Sequence, residues 1–155
     1  MDKYRAWSRQ LLASCNAADG AYYRWAKRSH VTWHVLDLLY ALDDGLPHSQ
    51  KQICEAWGFP KTSVNTAVKA CQAAGYVTLE AMPDQPRQRQ ICLTEAGRAC
   101  AKEALGELCA AEDRAMEETV ARYGPSFVEA AEFFFSRFRE AIDENLSEGE
   151  EVRSP

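Results

Sequence analysis

A mainly helical chain carrying one small β wing is predicted, and three observations predict it. Apolar residues recur at steps of three and four over most of the 155 residues. Strict alternation occurs in only two places, at Val77 and Leu79 and again at Ile91 and Leu93, on either side of a polar, Pro-containing stretch. Punctuation by Ser49, Gly58, Pro60, Gly75 and Thr94 divides the middle of the chain into two short helices, a strand, a loop, a second strand and a helix start. That order of elements is a winged helix-turn-helix.

Taken in order, Tyr4, Trp7, Leu11, Cys15, Ala18, Tyr22 and Trp25 form an apolar stripe on a long first helix, with a bend expected near Asn16, Asp19 and Gly20. Thr32 caps the next helix, whose buried face is Val35, Leu38, Leu39 and Leu42. Asp43, Asp44 and Gly45 end it, and Leu46 to His48 read as a short extended link. Ser49 and Gln52 have capping-box spacing for a short helix reaching Trp57. Gly58 stops that helix, and Pro60 suits the first turn of the following one. There Val64, Ala67, Val68 and Cys71 point to the core, while Thr62, Asn65, Thr66 and Lys69 share the opposite face.

Gly75 closes this helix and the strands follow. The stretch between them, AMPDQPRQRQ, reads as a hairpin loop carrying Arg87 and Arg89. Thr94 caps a helix running through Ala101, Leu105, Leu108 and Ala115 toward Tyr123, and Gly124-Pro125 breaks it. The last helix carries Phe127, Ala131, Phe134, Phe138 and Ile142 near heptad spacing, with Phe133 and Phe135 beside them. So many phenylalanines call for a large partner surface. Residues 147–155 read as a disordered tail.

Composition narrows the function classes. No apolar run approaches the ~20 residues that span a bilayer. MDKYRAWSRQ places charges where a signal peptide needs apolar residues, so a cytoplasmic location is expected. Without a CxxC pair, the six cysteines read as reduced thiols, mostly buried small hydrophobes. The net charge of −5 is uneven. Residues 1–48 carry +1, residues 49–98 carry +2 and residues 99–155 carry −8. The least acidic stretch is the winged helix, so a local positive face suits phosphate binding despite the total. Short hydrogen-bonding side chains plus a lysine on one helix face fit base edges in a major groove. An arginine-bearing hairpin beside it fits the adjacent minor groove.

On these residues the chain resembles the MarR family of bacterial transcriptional regulators. The likeness extends over nearly the whole chain and is most specific from Ser49 to Gly97, in PKTSVNTAVKACQAAGYV, the wing, and LTEAG after the second wing strand. It implies double-stranded DNA as partner and a homodimer on a pseudo-palindromic operator, with recognition helices about one helical turn, ~34–36 Å, apart. Residues 1–31 and 99–146 would build the dimer around winged-helix lobes formed by residues 32–98. Lys61, Thr62, Ser63, Asn65, Thr66 and Lys69 would contact bases and phosphates, and Arg87 and Arg89 would serve the wing. Ser49 and Gln50 would meet the backbone from their helix N-terminus. The chain departs from the family where Asp-Arg-Arg becomes Gln85-Pro86-Arg87, with Asp84 one place early, and where Thr66 replaces a commonly basic residue. Both changes lower the positive charge offered to DNA.

The family likeness also implies release of a repressor by a small aromatic or phenolic ligand. Tyr22, Trp25, His30, Trp33, His34 and Asp37 cluster at the corresponding place, where a flat anion would stack on an indole and meet a histidine. Two alternatives stand beside this: a thiol sensor at Cys15, although Ser8 holds the family's matched position, and a winged helix that binds protein instead of an operator. His30, His34 and Asp37 are poorly spaced for a metal because Thr32 leaves His30 outside the helix. No cofactor and no metal are expected. No G-x-S-x-G, P-loop or HExxH pattern points to an enzyme.

Overall fold

Helix α1 (Lys3–Arg28) starts on Asp2, whose carboxylate accepts the Tyr4 N–H. A computed structural model describes residues 2–82 and 85–151, with side chains over 2–82 and 87–146. The remaining elements are α2 (Trp33–Ala41), β1 (His48–Ser49), α3 (Gln50–Trp57), α4 (Lys61–Ala73), β2 (Val77–Met82), β3 (Gln85–Leu93), α5 (Glu95–Tyr123) and α6 (Ser126–Glu151). The strands form one antiparallel sheet in the order β1-β3-β2. The chain separates into two compact units, Met1–Cys109 and Ala110–Pro155.

In the first unit the core is built where the apolar spacing places it. Leu36, Leu38, Leu39 and Leu42 of the α2 region, Ile53, Val64, Val68 and Cys71 of α3 and α4, Ile91 of β3 and Leu105 of α5 are almost wholly buried. Truncating a leucine in such a core costs about 2–5 kcal/mol. Local bonds fix the helix starts. Thr32 Oγ1 accepts the Val35 N–H, and Ser49 and Gln52 close both halves of a capping box, at 3.2 Å and 2.7 Å. Gly58 then takes the left-handed conformation (φ 67) that turns α3 into α4. Pro60 precedes α4 as its N-cap and offers its carbonyl to the Ser63 and Val64 N–H groups.

The LTEAG stretch has a steric cause. A Cβ on Gly97 would lie 1.9 Å from the Tyr76 carbonyl oxygen, so only glycine fits there. The close approach supports a knot of bonds at the root of the wing. The Tyr76 carbonyl accepts the Thr94 N–H at 2.9 Å. The Thr94 hydroxyl donates to the Gly75 carbonyl at 2.7 Å and accepts the Gly97 N–H at 3.0 Å.

Four expectations are corrected. Gly20 does not interrupt α1, which runs unbroken through 26 residues; one glycine costs only about 1 kcal/mol in a helix interior. The link ending at His48 contributes a two-residue strand, too short to show alternation in sequence. The wing strands extend to Met82 and back from Gln85, so Arg87 and Arg89 lie on β3 and not in a ten-residue loop. Helix α6 continues to Glu151, so residues 147–151 are helical where a disordered tail was expected; their glutamates are good helix formers. Residues 152–155 of that tail, and the wing residues Pro83 and Asp84, lie outside the described residues.

In the second unit α5 finishes at Tyr123, Gly124 turns at φ 81, and α6 follows. No described side chain over 110–146 is buried. Phe133 is 69% exposed and Leu146 63%. Phe134 stacks on Phe138 with ring centres 6.3 Å apart, and Phe135 meets Phe134 edge-on. These contacts order the stripe without covering it. Among the described residues no helix is long and apolar enough to cross a membrane.

Candidate functional site

The outer face of α4 carries the predicted polar row. Lys61, Thr62, Asn65, Thr66 and Lys69 are exposed, whereas Ser63 is half-buried beside Val64 and Ala67. The Thr66 hydroxyl donates to the Thr62 carbonyl at 2.9 Å, which leaves its oxygen lone pairs and its methyl group facing outward. Ser49 is buried, and its hydroxyl accepts the Gln52 N–H, so its side chain is committed to the capping box. Gln50 is half-buried at the start of α3.

On the wing, pairing jumps from Ala81↔Arg89 to Met82↔Gln85. Residues 86–88 therefore bulge out of register, and Arg87 sits within the bulge. Arg87 and Arg89 are both exposed. Among the described residues neither arginine, nor Lys61 or Lys69, forms an ion pair. The arrangement offers an exposed helix face of short polar groups and unpaired cations on helix and wing.

A second feature lies beneath α1 and α2. Trp33, Leu36, Asp37 and Tyr40, at helical steps of three, four and seven, line one side of a cavity of about 290 Å³. Asp19 and Tyr22 of α1, Trp57 of α3, Phe59 and Leu108 complete it. The rings form a belt: Tyr22 lies 6.4 Å from both Trp33 and Tyr40, Tyr40 meets Trp57 edge-on at 5.4 Å, and Trp57 stacks on Phe59 at 6.2 Å. Burial raises the Asp37 carboxyl to about 6; His34 works against that rise and Asp19 adds to it.

Of the six residues expected to form a ligand site, the structure brings Tyr22, Trp33 and Asp37 together and separates the rest. Trp25 is occupied elsewhere, with its indole N–H donating to the Ala104 carbonyl at 2.7 Å and its ring covered by Arg28. His30 is exposed in the left-handed conformation (φ 58) between α1 and α2. His34 is exposed and borders a separate cleft of about 10 Å³ with Ser63 and Ala67. Tyr40 is legible as the next turn of the Trp33 face. Trp57 and Phe59 come from a distant stretch, and no local spacing announces them.

Of the six cysteines only Cys71 is fully buried, which lifts its thiol to about 11. Cys15 is partly exposed on α1. Among the described residues no three His, Cys, Asp or Glu side chains gather as a metal would require.

A MarR family model matches residues 30–88. A MarR family regulator from Neisseria meningitidis has the same fold, with 21% identity, a TM-score of 0.71, and coverage of 96% of this chain and 99% of that one. BpsR from Bordetella bronchiseptica matches with 17% identity and a TM-score of 0.60 over 85% of this chain and 91% of its own. CouR from Rhodococcus jostii matches with 20% identity and a TM-score of 0.61 over 78% and 88%. At such identities the likeness is one of fold. No curated protein matches the chain. Residues 30–88, which hold most of the winged helix, thus match the MarR family model, and the fold around them is that of solved MarR regulators.

Proposed function

We propose that the chain is a sequence-specific, double-stranded-DNA-binding transcriptional regulator acting as a homodimer. It represses from a pseudo-palindromic operator and is released by a small aromatic ligand. The observation that carries this reading is the exposed face of α4, with Lys69 at its edge and the unpaired Arg87 on the bulged wing. Short polar groups suit base edges in the major groove, and the free cations suit phosphates and a narrow minor groove.

The homodimer is supported by apolar surface that the chain leaves open, at Tyr4 and Trp7 of α1 and along the α6 phenylalanines. Ligand release is supported by the aromatic cavity, and by two proteins of similar fold. DNA binding by BpsR is regulated by 6-hydroxynicotinic acid, and CouR has been seen bound to p-coumaroyl-CoA. A ligand that prefers one spacing of the two lobes shifts the population away from the spacing that fits successive major grooves.

Fluorescence anisotropy tests the reading, using DNA from upstream of the chain's own gene, a scrambled duplex and several salt concentrations. Tight, sequence-dependent binding with a steep salt slope is expected. Lys69→Ala and Arg87→Ala should each weaken binding and lower that slope by about one. Equal, weak binding to both duplexes would overturn operator recognition.

A further inference from the structure

We infer that the aromatic cavity takes a small organic cation, an amine or quaternary ammonium, and disfavours an anion. The inference rests on the reading of that cavity as the regulator's ligand site and specifies the charge of what enters it. Its wall holds two carboxylates on facing helices, Asp19 from α1 and Asp37 from α2, and its lining contains no lysine, arginine or histidine. Neither histidine that would have met an anion lines the cavity: His30 is exposed on the connecting turn, and His34 is exposed and borders the neighbouring cleft, reaching Asp37 only from outside the lining.

The ring belt supplies the second half of the argument. Aromatic faces carry negative potential and attract ammonium groups, tryptophan most strongly, and Trp33 of α2 and Trp57 of α3 both line the space. A carboxylate ligand would instead bring a third negative charge beside Asp19 and Asp37, with no cation to meet it. Asp37 itself is held up at about 6 because burial deprives its charged form of solvent. A bound ammonium would place a positive charge directly against it, inside the cavity.

The test uses the full chain without DNA and follows its tryptophan fluorescence during three titrations. The probes share a benzyl or phenyl ring and differ in charge: benzyltrimethylammonium, benzoate and benzyl alcohol. The cation should saturate at a concentration at least about tenfold below the other two. Asp37→Asn and Asp19→Asn should each raise the cation midpoint several-fold and leave that of benzyl alcohol in place. Using two variants guards against a folding defect in either. Benzoate binding as tightly as the cation, a cation midpoint indifferent to both substitutions, or no saturable response to the cation would each overturn the inference. Operator binding measured on the same preparations separates the two ideas. DNA recognition alongside an indifferent cavity sinks only the cation, and cation binding without DNA recognition sinks only the regulator.

Discussion

Between Met1 and Cys109 the apolar residues of α2, α3, α4, β3 and the start of α5 close over one another, and Leu39, Leu42, Cys71 and Ile91 are wholly buried. From Ala110 onward the same kinds of residue close over nothing, and Phe127, Phe138 and Ile142 are each more than 40% exposed. The contrast lies in packing. The first region encodes its own core. The second encodes long helices whose apolar side stays open, although isolated helices gain most of their stability from tertiary contacts.

The largest test of that contrast falls on the second region. Phe138→Glu combined with Ile142→Glu places two charges on one exposed face of α6, at the cost of the stack of Phe138 on Phe134 but of no buried side chain. Self-association should disappear in sedimentation equilibrium, while the melting of the winged-helix core remains. A double variant that stays dimeric would show that the stripe has another purpose.

Next comes a substitution in the first region. Gly97→Ala forces a methyl group against the Tyr76 carbonyl and should cost about 3 kcal/mol, read as a lower denaturant midpoint. This loss should be independent of protein concentration, unlike any instability of α6. Ser49→Ala removes one half of the α3 capping box and should cost about 1 kcal/mol by the same measurement.

The smallest expected effect concerns Asp37. Its folded pKa of about 6 lies above the ordinary 3.8, so the folded chain holds this proton more tightly than the unfolded one does. Stability from this group therefore falls as pH rises from about 4 to 6 and stays at the lower level above that. Asp19 and His34 are the charged groups acting on it. Asp37→Asn should raise the melting temperature at pH 7.5 and leave it nearly unchanged at pH 4. The gain should stay below about 1 kcal/mol, because the carboxyl is only half-buried and solvent screens it.

Much of the first region is legible in the order of its amino acids. Thr32, Ser49 with Gln52, and Thr94 announce helix starts through side-chain oxygens that bond within three residues, and local chemistry of that kind survives in sequence. The polar row on α4 is equally plain because helical periodicity sorts residues by face. The cavity is half-legible: Trp33 and Asp37 share a helix turn, but Trp57 and Phe59 arrive from about twenty residues away through the α3–α4 turn. Trp25 misleads because an indole beside other aromatics looks like a ligand platform, and only the fold reveals that its N–H is spent on Ala104. The β1 strand and the Arg87 bulge depend on pairing register, which two or three residues of sequence do not carry.

The contact between Gly97 and Tyr76 also has an evolutionary meaning. Every substitution at that codon adds at least a methyl group where 1.9 Å of space remains, so drift is closed there whatever the helix reads. The exposed positions of α4 are open to change, because nothing in the core depends on Asn65 or Lys69. Lineages descending from this chain can thus rewrite the outer face of α4, residue by residue, while carrying the same glycine unchanged.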